Sequence, residues 1–344
     1  MSGFTEMNKD IKVLVMGPRL NARQGAGGAV VLFENLLHEL QAHNISHTII
    51  DTNKSNHNSK GLFVFNIISR FISLRRQHDI IFLNSSRDYL YLLPLMFFFN
   101  TIGPKKIVMR KFGGELDQDL KKKTKGAIIK RLLSKLDMVF VESKLLLGQV
   151  KAINPNTYWF PNVRERNASV RSAADYQKRF VFISHIKESK GVKELLEAFN
   201  QLDSSYSLHF YGTMVEPELS ALIENNPNTT YKGHIAPEQV YQTISGYDVV
   251  ALPTHYPGEG YPGILIEAYA CAKPVISTYW KQIPEIVTDG VTGYLVTPGN
   301  VEELIQAIKN IETNYATLSV NALNKFDEFD SKLVSDKIFN LLLN

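Results

Sequence analysis

The chain has 344 residues, 44% of them hydrophobic, and a formal net charge of +4. That length is enough for two domains with separate cores and places the chain among globular proteins. The single cysteine, Cys271, lies in the apolar run 268–272 and reads as a buried reduced thiol. One cysteine excludes both a disulfide framework and a Cys-based zinc site.

At the N-terminus a polar stretch, 1–10, leads into the apolar run 11–16, which has no basic flank, too little length and no small-residue cleavage site for a signal peptide. A cytoplasmic protein is expected. Short runs rich in Val and Ile then alternate with longer amphipathic ones: 11–16, 29–40, 47–51, 79–84, 106–109 and 138–142. Strand-like runs separated by helical patterns predict βαβ units and a parallel sheet. In 29–40 the positions Val30, Phe33, Leu36, Leu37 and Leu40 fall at helical spacing. The longest greasy stretch, Tyr89 to Ile102, contains Pro94 and falls short of the roughly 20 apolar residues of a spanning helix, so a buried or interfacial helix is expected.

Further along, Lys121, Lys122, Lys123, Lys125, Lys130, Arg131 and Lys135 surround Ile128, Ile129, Leu132, Leu133 and Leu136 at helical spacing. This is the pattern of a surface helix drawn to anionic lipid, and it predicts peripheral membrane association at the inner membrane face. The segment has no interleaved aromatics, so nucleic acid is not an expected partner. Between Pro161 and Lys178 the sequence turns polar, as a linker does, and the boundary is drawn there. Up to Arg164 the charges sum to +12, and beyond it to −8. Such polarity between halves points to different partners, with the first half facing something anionic.

The second half restarts the alternation at 180–184, 192–199, 207–211, 237–244, 249–253, 263–272, 274–277, 293–296 and 301–311. The expected domains are 1–163 and 164–329, with a C-terminal helix at about 330–344 returning to the first. In doubly wound sheets, ligands bind at the carboxyl ends of the strands, so the cleft between two such domains is the expected site.

The most informative segment runs from Gly258 to Glu267. Pro262 suits the first turn of a helix, where its missing N–H costs nothing. A helix starting there leaves the amides of Gly263 and Ile264 free at the positive dipole end, ready for a phosphate. Glu259, before the helix, and Glu267, one turn inside it, are then positioned to reach a sugar hydroxyl and a ribose, one each. Gly258, Gly260 and Gly263 also spell G-x-G-x-x-G, but Thr254 to Pro257 separate them from the strand and the motif comes late in the chain, which disfavours a dinucleotide site. Upstream, 180–192 reads as a strand, a loop and a helix start. In that loop Lys190 and His185 are placed to donate to a diphosphate. Near the N-terminus, the glycines at 25, 27 and 28 follow the first strand, where their amides are able to approach a phosphate or the reacting sugar. No Walker motif and no Asp-x-Asp motif occur.

This ordered series resembles glycosyltransferase family 4, the GT-B enzymes with an E-x7-E motif: Glu259-Gly260-Tyr261-Pro262 to Glu267-Ala268, Lys273-Pro274-Val275-Ile276, Ile283-Pro284-Glu285-Ile286-Val287, Asp289-Gly290 and Thr292-Gly293-Tyr294-Leu295-Val296. Weaker likenesses lie at Gly27-Gly28, Pro161-Asn162-Val163, Lys190-Gly191-Val192, Tyr211-Gly212 and Gly233-His234-Ile235. The resemblance implies an α/β fold of two Rossmann-like domains facing across a cleft. It also implies a retaining, metal-independent transferase without a cofactor, using a nucleotide diphosphate sugar, UDP-linked, as co-substrate. By position, it puts Glu259 on the transferred sugar, Glu267 on the ribose and Lys190 on the diphosphate. Gly260, Tyr261, Pro262, Gly263 and Ile264 supply backbone contacts to sugar and phosphate, and Gly212, His234 and Ile235 flank the base. The implied acceptor is a glycan or lipid-linked molecule of surface polysaccharide synthesis, of the capsule or lipopolysaccharide kind.

Two departures stand out. Ser184-His185 replaces the family's Gly-Arg before the lysine, and Met109-Arg110-Lys111-Phe112-Gly113-Gly114 stands where many members carry His-Gly. Arg110 or Lys111 is then expected to supply positive charge near the reacting centre. The alternative reading is an inactive family member kept as a scaffold subunit, supported by His185 and Phe112.

Overall fold

The alternating runs resolve, in the computed structural model, into two parallel six-stranded sheets, each with its own core. The structure describes residues 11–21, 28–57, 60–101, 103–112, 116–166 and 175–343, with the side chains of 60 and 61 left aside. Gly25, Gly27, Gly113 and Gly114 therefore lie outside the described residues, as do the first ten residues.

The first unit comprises 1–163 together with 334–344. In chain order it holds β1 (Lys12–Gly17), α1 (Gly28–Ala42), β2 (Ser46–Asp51), α2 (Lys60–Leu74), β3 (Ile80–Ser85) and α3 (Tyr89–Phe99). There follow β4 (Lys106–Lys111), α4 (Leu116–Asp119), α5 (Lys123–Leu133), β5 (Met138–Val141), α6 (Lys144–Lys151) and β6 (Thr157–Trp159). The strands pair in the order β2-β1-β3-β4-β5-β6, all parallel. Period-two alternation sends Leu14, Met16, Ile81 and Leu83 to one face and Val13, Val15, Ile80 and Phe82 to the other. Both faces are covered, which is why these strands read as unbroken apolar runs.

The second unit, 164–333, holds β7 (Arg179–Ile183), α7 (Val192–Asn200), β8 (Ser207–Tyr211), α8 (Glu218–Asn225), β9 (Thr229–Tyr231) and α9 (Val240–Ser245). It continues with β10 (Val249–Ala251), α10 (Gly263–Ala270), β11 (Val275–Thr278), α11 (Ile283–Ile286), β12 (Gly293–Val296) and α12 (Val301–Lys325). Its order is β12-β11-β10-β7-β8-β9, again parallel throughout. The last helix, α13 (Ser331–Leu343), places Val334, Ile338, Phe339, Leu342 and Leu343 in the core of the first unit beside Phe33 and Leu40 of α1. Each such buried side chain contributes about 1.5–3 kcal/mol of apolar burial, which anchors the chain end there.

Three features depart from the sequence expectations. Pro262 is the N-cap of α10, with extended backbone, rather than a residue of its first turn. The apolar face of the basic helix α5 is not free to meet lipid: Ile129, Leu132, Leu133 and, just beyond it, Leu136 belong to the core of the first unit, and of the five only Ile128 is exposed. The three-residue strands β6 and β9 escaped the pattern because Thr, Tyr and Trp fill them instead of Val and Ile. No described helix is long and apolar enough to cross a membrane, and α3 keeps Pro94 in its interior.

Candidate active site

In the second sheet β8 and β9 extend from β7 on one side, while β11 and β12 extend from β10 on the other. The direction of chain progress reverses between β7 and β10. Loops leaving the carboxyl ends of those two strands diverge at such a point and leave a crevice for ligand. Lys190 follows β7, and Glu259 follows β10.

Glycine brings the two loops together. Gly191 has φ of +84°, and a Cβ there would come within 2.3 Å of the Pro253 carbonyl oxygen. With that approach made, Lys190 Nζ lies 2.5 Å from Glu259 Oε2, both side chains being largely enclosed. The hydroxyl of buried Thr254 donates to the same carboxylate oxygen at 3.0 Å, while the Tyr256 amide donates to that hydroxyl at 3.1 Å. The Tyr256 ring also carries two ammonium groups, Lys187 Nζ at 3.8 Å and Lys190 Nζ at 4.9 Å from its centroid. A ligand phosphate arriving here meets cations already gathered, and Glu259 holds one of them in place.

Pro262, as the cap, has no side-chain acceptor for the first amides of α10, so those of Gly263 and Ile264 point out of the helix start. Glu267, one turn in, does not stand alone: Arg164 Nε donates to its Oε1 at 2.6 Å. Arg164 is anchored by backbone bonds, accepting from Ser331 at 2.8 Å and donating to Phe329 at 2.9 Å. The segment read as a linker is thus tied down at its first residues, since Arg166 also pairs with Asp330 at 2.8 Å and with Asp327.

On the other side of β7, Gly212 adopts φ of +135°, and a Cβ would fall 1.8 Å from the Ser184 carbonyl oxygen. Its amide donates to the Gly233 carbonyl at 2.9 Å, so the loops after β8 and β9 lean on one another. His234 is exposed at that edge, Ile235 is half-buried beside it, and His185 is exposed at the end of β7. The second sheet therefore brings Lys190, His185, Gly212, His234, Ile235, Glu259 and the start of α10 to one edge. Sequence reasoning missed Thr254 and Arg164. Each had a signal, Thr254 in its position just after the β10 run and Arg164 in being a cation next to Pro161-Asn162-Val163.

In the first unit the assignments fare differently. Gly28 is the exposed first residue of α1. Arg110, expected near the reacting centre, is 1% exposed: its Nη2 donates to the Pro161 carbonyl at 2.8 Å and its guanidinium sits 3.5 Å from the Phe160 ring centroid. Burial pulls it down to about 9 against the opposing pull of Glu142. It is a packing group on the face of β4 that it shares with Val108 and that Phe160 covers, whereas Lys111 lies on the opposite face. Among the described residues, no three His, Cys, Asp or Glu side chains gather as metal ligands.

Residues 177–314 match the family model described as glycosyl transferases group 1, which is the segment carrying Lys190, Glu259 and Glu267. The chain is 27% identical over 161 residues to an uncharacterized glycosyltransferase, MJ1178, of Methanocaldococcus jannaschii, a stretch covering 46% of this chain and 44% of that protein. It is 25% identical over 170 residues to the capsular polysaccharide biosynthesis glycosyltransferase CapM of Staphylococcus aureus, covering 46% and 43%. These similarities span less than half the length of the curated relatives. Across 96% of this chain and 99% of the other, the architecture matches that of Anabaena Alr3699/HepE in complex with UDP, with a TM-score of 0.76 at 18% identity. The fold is accordingly the GT-B type, with two parallel six-stranded sheets and flanking helices.

Proposed function

We propose that the protein is a retaining glycosyltransferase that moves a hexose from a nucleotide diphosphate sugar, UDP-linked, to a glycan or lipid-linked acceptor of surface polysaccharide synthesis. The observation that carries this reading is the Lys190–Glu259 pair at the reversal point of the second sheet, inside the segment that matches group 1 glycosyl transferases. UDP as the nucleotide draws support from HepE, whose structure is a complex with UDP, and the polysaccharide acceptor from CapM.

In this reading the donor diphosphate binds at the start of α10, where backbone amides and Lys190 share its charge. Phosphate competes with Glu259 for the Lys190 ammonium, and the released carboxylate accepts from hydroxyls of the sugar. Thr254 keeps that carboxylate aimed through its own hydrogen bond. Glu267, oriented by Arg164, accepts from the ribose. The acceptor hydroxyl attacks from the face the diphosphate leaves, and the departing phosphate oxygen takes its proton, so no side-chain base is assigned. Protein cations and helix amides neutralise the leaving group without a metal. His185, exposed at the end of β7, supplements Lys190 there.

Membrane association belongs to the same proposal with a changed footing. Phe98 and Ile128 are exposed beside Arg131 and Lys135, around a shallow groove of about 400 Å³ between α3 and α5. Those residues, rather than the buried face of α5, are the contact offered to an anionic surface.

The test is a donor screen by thermal shift followed by a transfer assay with chromatography of products. A nucleotide sugar raises the melting midpoint by mass action, and a Glu259→Gln variant abolishes transfer while still folding. Proton spectra of the product must show the donor's anomeric configuration. Absence of binding by every nucleotide sugar would sink the proposal.

A further inference from the structure

A second cluster of cations, which the proposed reaction does not use, sits at the carboxyl ends of β3 and β4 in the first unit. Arg87, Lys111, Lys122 and Lys125 line a cavity of about 220 Å³ whose floor includes Tyr89 and whose one acidic lining residue, among the described residues, is Asp119. Lys111 is 1% exposed, its ammonium 2.9 Å from the Phe112 carbonyl oxygen and 6.0 Å from the Tyr89 ring centroid. Burying an ammonium is costly, and polar interiors retain one only where its charge meets a counter-charge. Burial lowers Lys111 to about 8, with Arg87 pulling the same way, against Glu142 and the aspartates at 119 and 117, which favour its charge.

Asp119 is already shared, by Lys122 at 2.8 Å and Lys125 at 2.5 Å. Among the described residues the lining thus carries four cations and one carboxylate, with Glu142 and Asp117 acting on Lys111 from beyond it. The crowding breaks a local rule as well, because α5 begins among Lys122, Lys123 and Lys125 with no acidic residue in its first turn. Rules broken in this way are expected at functional sites. The pocket lies beyond the carboxyl ends of β3 and β4, one strand along from the reversal between β1 and β3 where an open parallel sheet holds its ligand.

We propose that this pocket binds a phosphate or diphosphate group carried by the acceptor, with Lys111 at its base and Arg87, Lys122 and Lys125 at its rim. The pocket is close to the size of one such group, and a buried ammonium with a guanidinium beside it matches phosphate chemistry. Assigning the group to an acceptor rests on the transferase reading, whereas anion binding itself does not.

The experiment titrates inorganic pyrophosphate into the full chain at neutral pH with the donor half kept occupied by saturating UDP. The expected result is binding that weakens about tenfold or more in Lys111→Met, and a few-fold in Arg87→Ala, whose exposed side chain leaves the fold untouched. Circular dichroism shows whether Lys111→Met is folded. Affinities equal to wild type in both variants overturn the proposal. Phosphatidylcholine vesicles containing phosphatidic acid form the second arm: Lys111-dependent capture assigns the phosphate to a lipid, and pyrophosphate binding without capture assigns it to a water-soluble acceptor. Failure to bind UDP with pyrophosphate binding intact counts against the donor reading alone.

Discussion

The two units share a doubly wound sheet and differ in what stands at its carboxyl edge. In the second, Lys190 is matched by Glu259 and Glu267 by Arg164, so each charge has a dedicated opposite. In the first, Lys111 lies among further cations, with Asp119 divided between two of them. The second edge closes its charges in side-chain pairs, and the first gathers Arg87, Lys111, Lys122 and Lys125 around one cavity. The sequence shows the same polarity, +12 up to Arg164 and −8 beyond it.

The largest effect is expected of Lys190→Ala, which lowers kcat/KM by about 100-fold or more, as loss of a group that stabilises developing charge does. Steady-state kinetics with a nucleotide sugar checks it, and a change of less than threefold would move the diphosphate elsewhere. Next comes Gly212→Ala, which drives a Cβ into the Ser184 carbonyl and forces a left-handed backbone on alanine, at a cost of about 3 kcal/mol in denaturant unfolding. Arg164→Met leaves Glu267 without its cation and is expected to raise the donor KM about tenfold with kcat little changed. An unaltered KM would mean that Glu267 does not hold the ribose.

Lys111 gives a subtler test through pH. Its folded-state value of about 8 lies below the ordinary 10.5, so between those limits the unfolded chain holds a proton that the folded one has released. Stability therefore rises as pH climbs from 8 to about 10.5, and a penalty present below 8 disappears. Lys111→Met is expected to be more stable than wild type at neutral pH and to lose that part of the pH slope, read from urea midpoints at a series of pH values. Smallest of all, the Phe98→Ser and Ile128→Ser pair should leave stability within about 0.5 kcal/mol while reducing co-sedimentation with anionic vesicles.

The motif-bearing half was the more legible one. Gly258 to Glu267 and the loop to Lys190 could be read because turn glycines, a proline and a helix start have local causes. The strands β1, β2, β3 and β12 were equally plain from their Val, Ile and Leu content. The basic helix misled for an instructive reason: periodicity reports that an apolar face exists, and Ile129, Leu132 and Leu133 turn theirs to the protein's own core instead of to lipid. Arg110 misled likewise, since alternation along β4 distinguishes it from Lys111 only once the faces of the sheet are known.

By itself the sequence determined two α/β halves, their opposite charge and the glutamates and lysine of the expected donor site, because hydrophobic period and turn chemistry act over a few residues. Tertiary structure alone decided that Lys190 meets Glu259, that Arg164 claims Glu267 and that Arg110 is packed away while Lys111 floors a cavity. Those outcomes depend on strand order and on loops meeting across a sheet. Ion pairs between residues 69 and 103 positions apart leave no local trace in the chain.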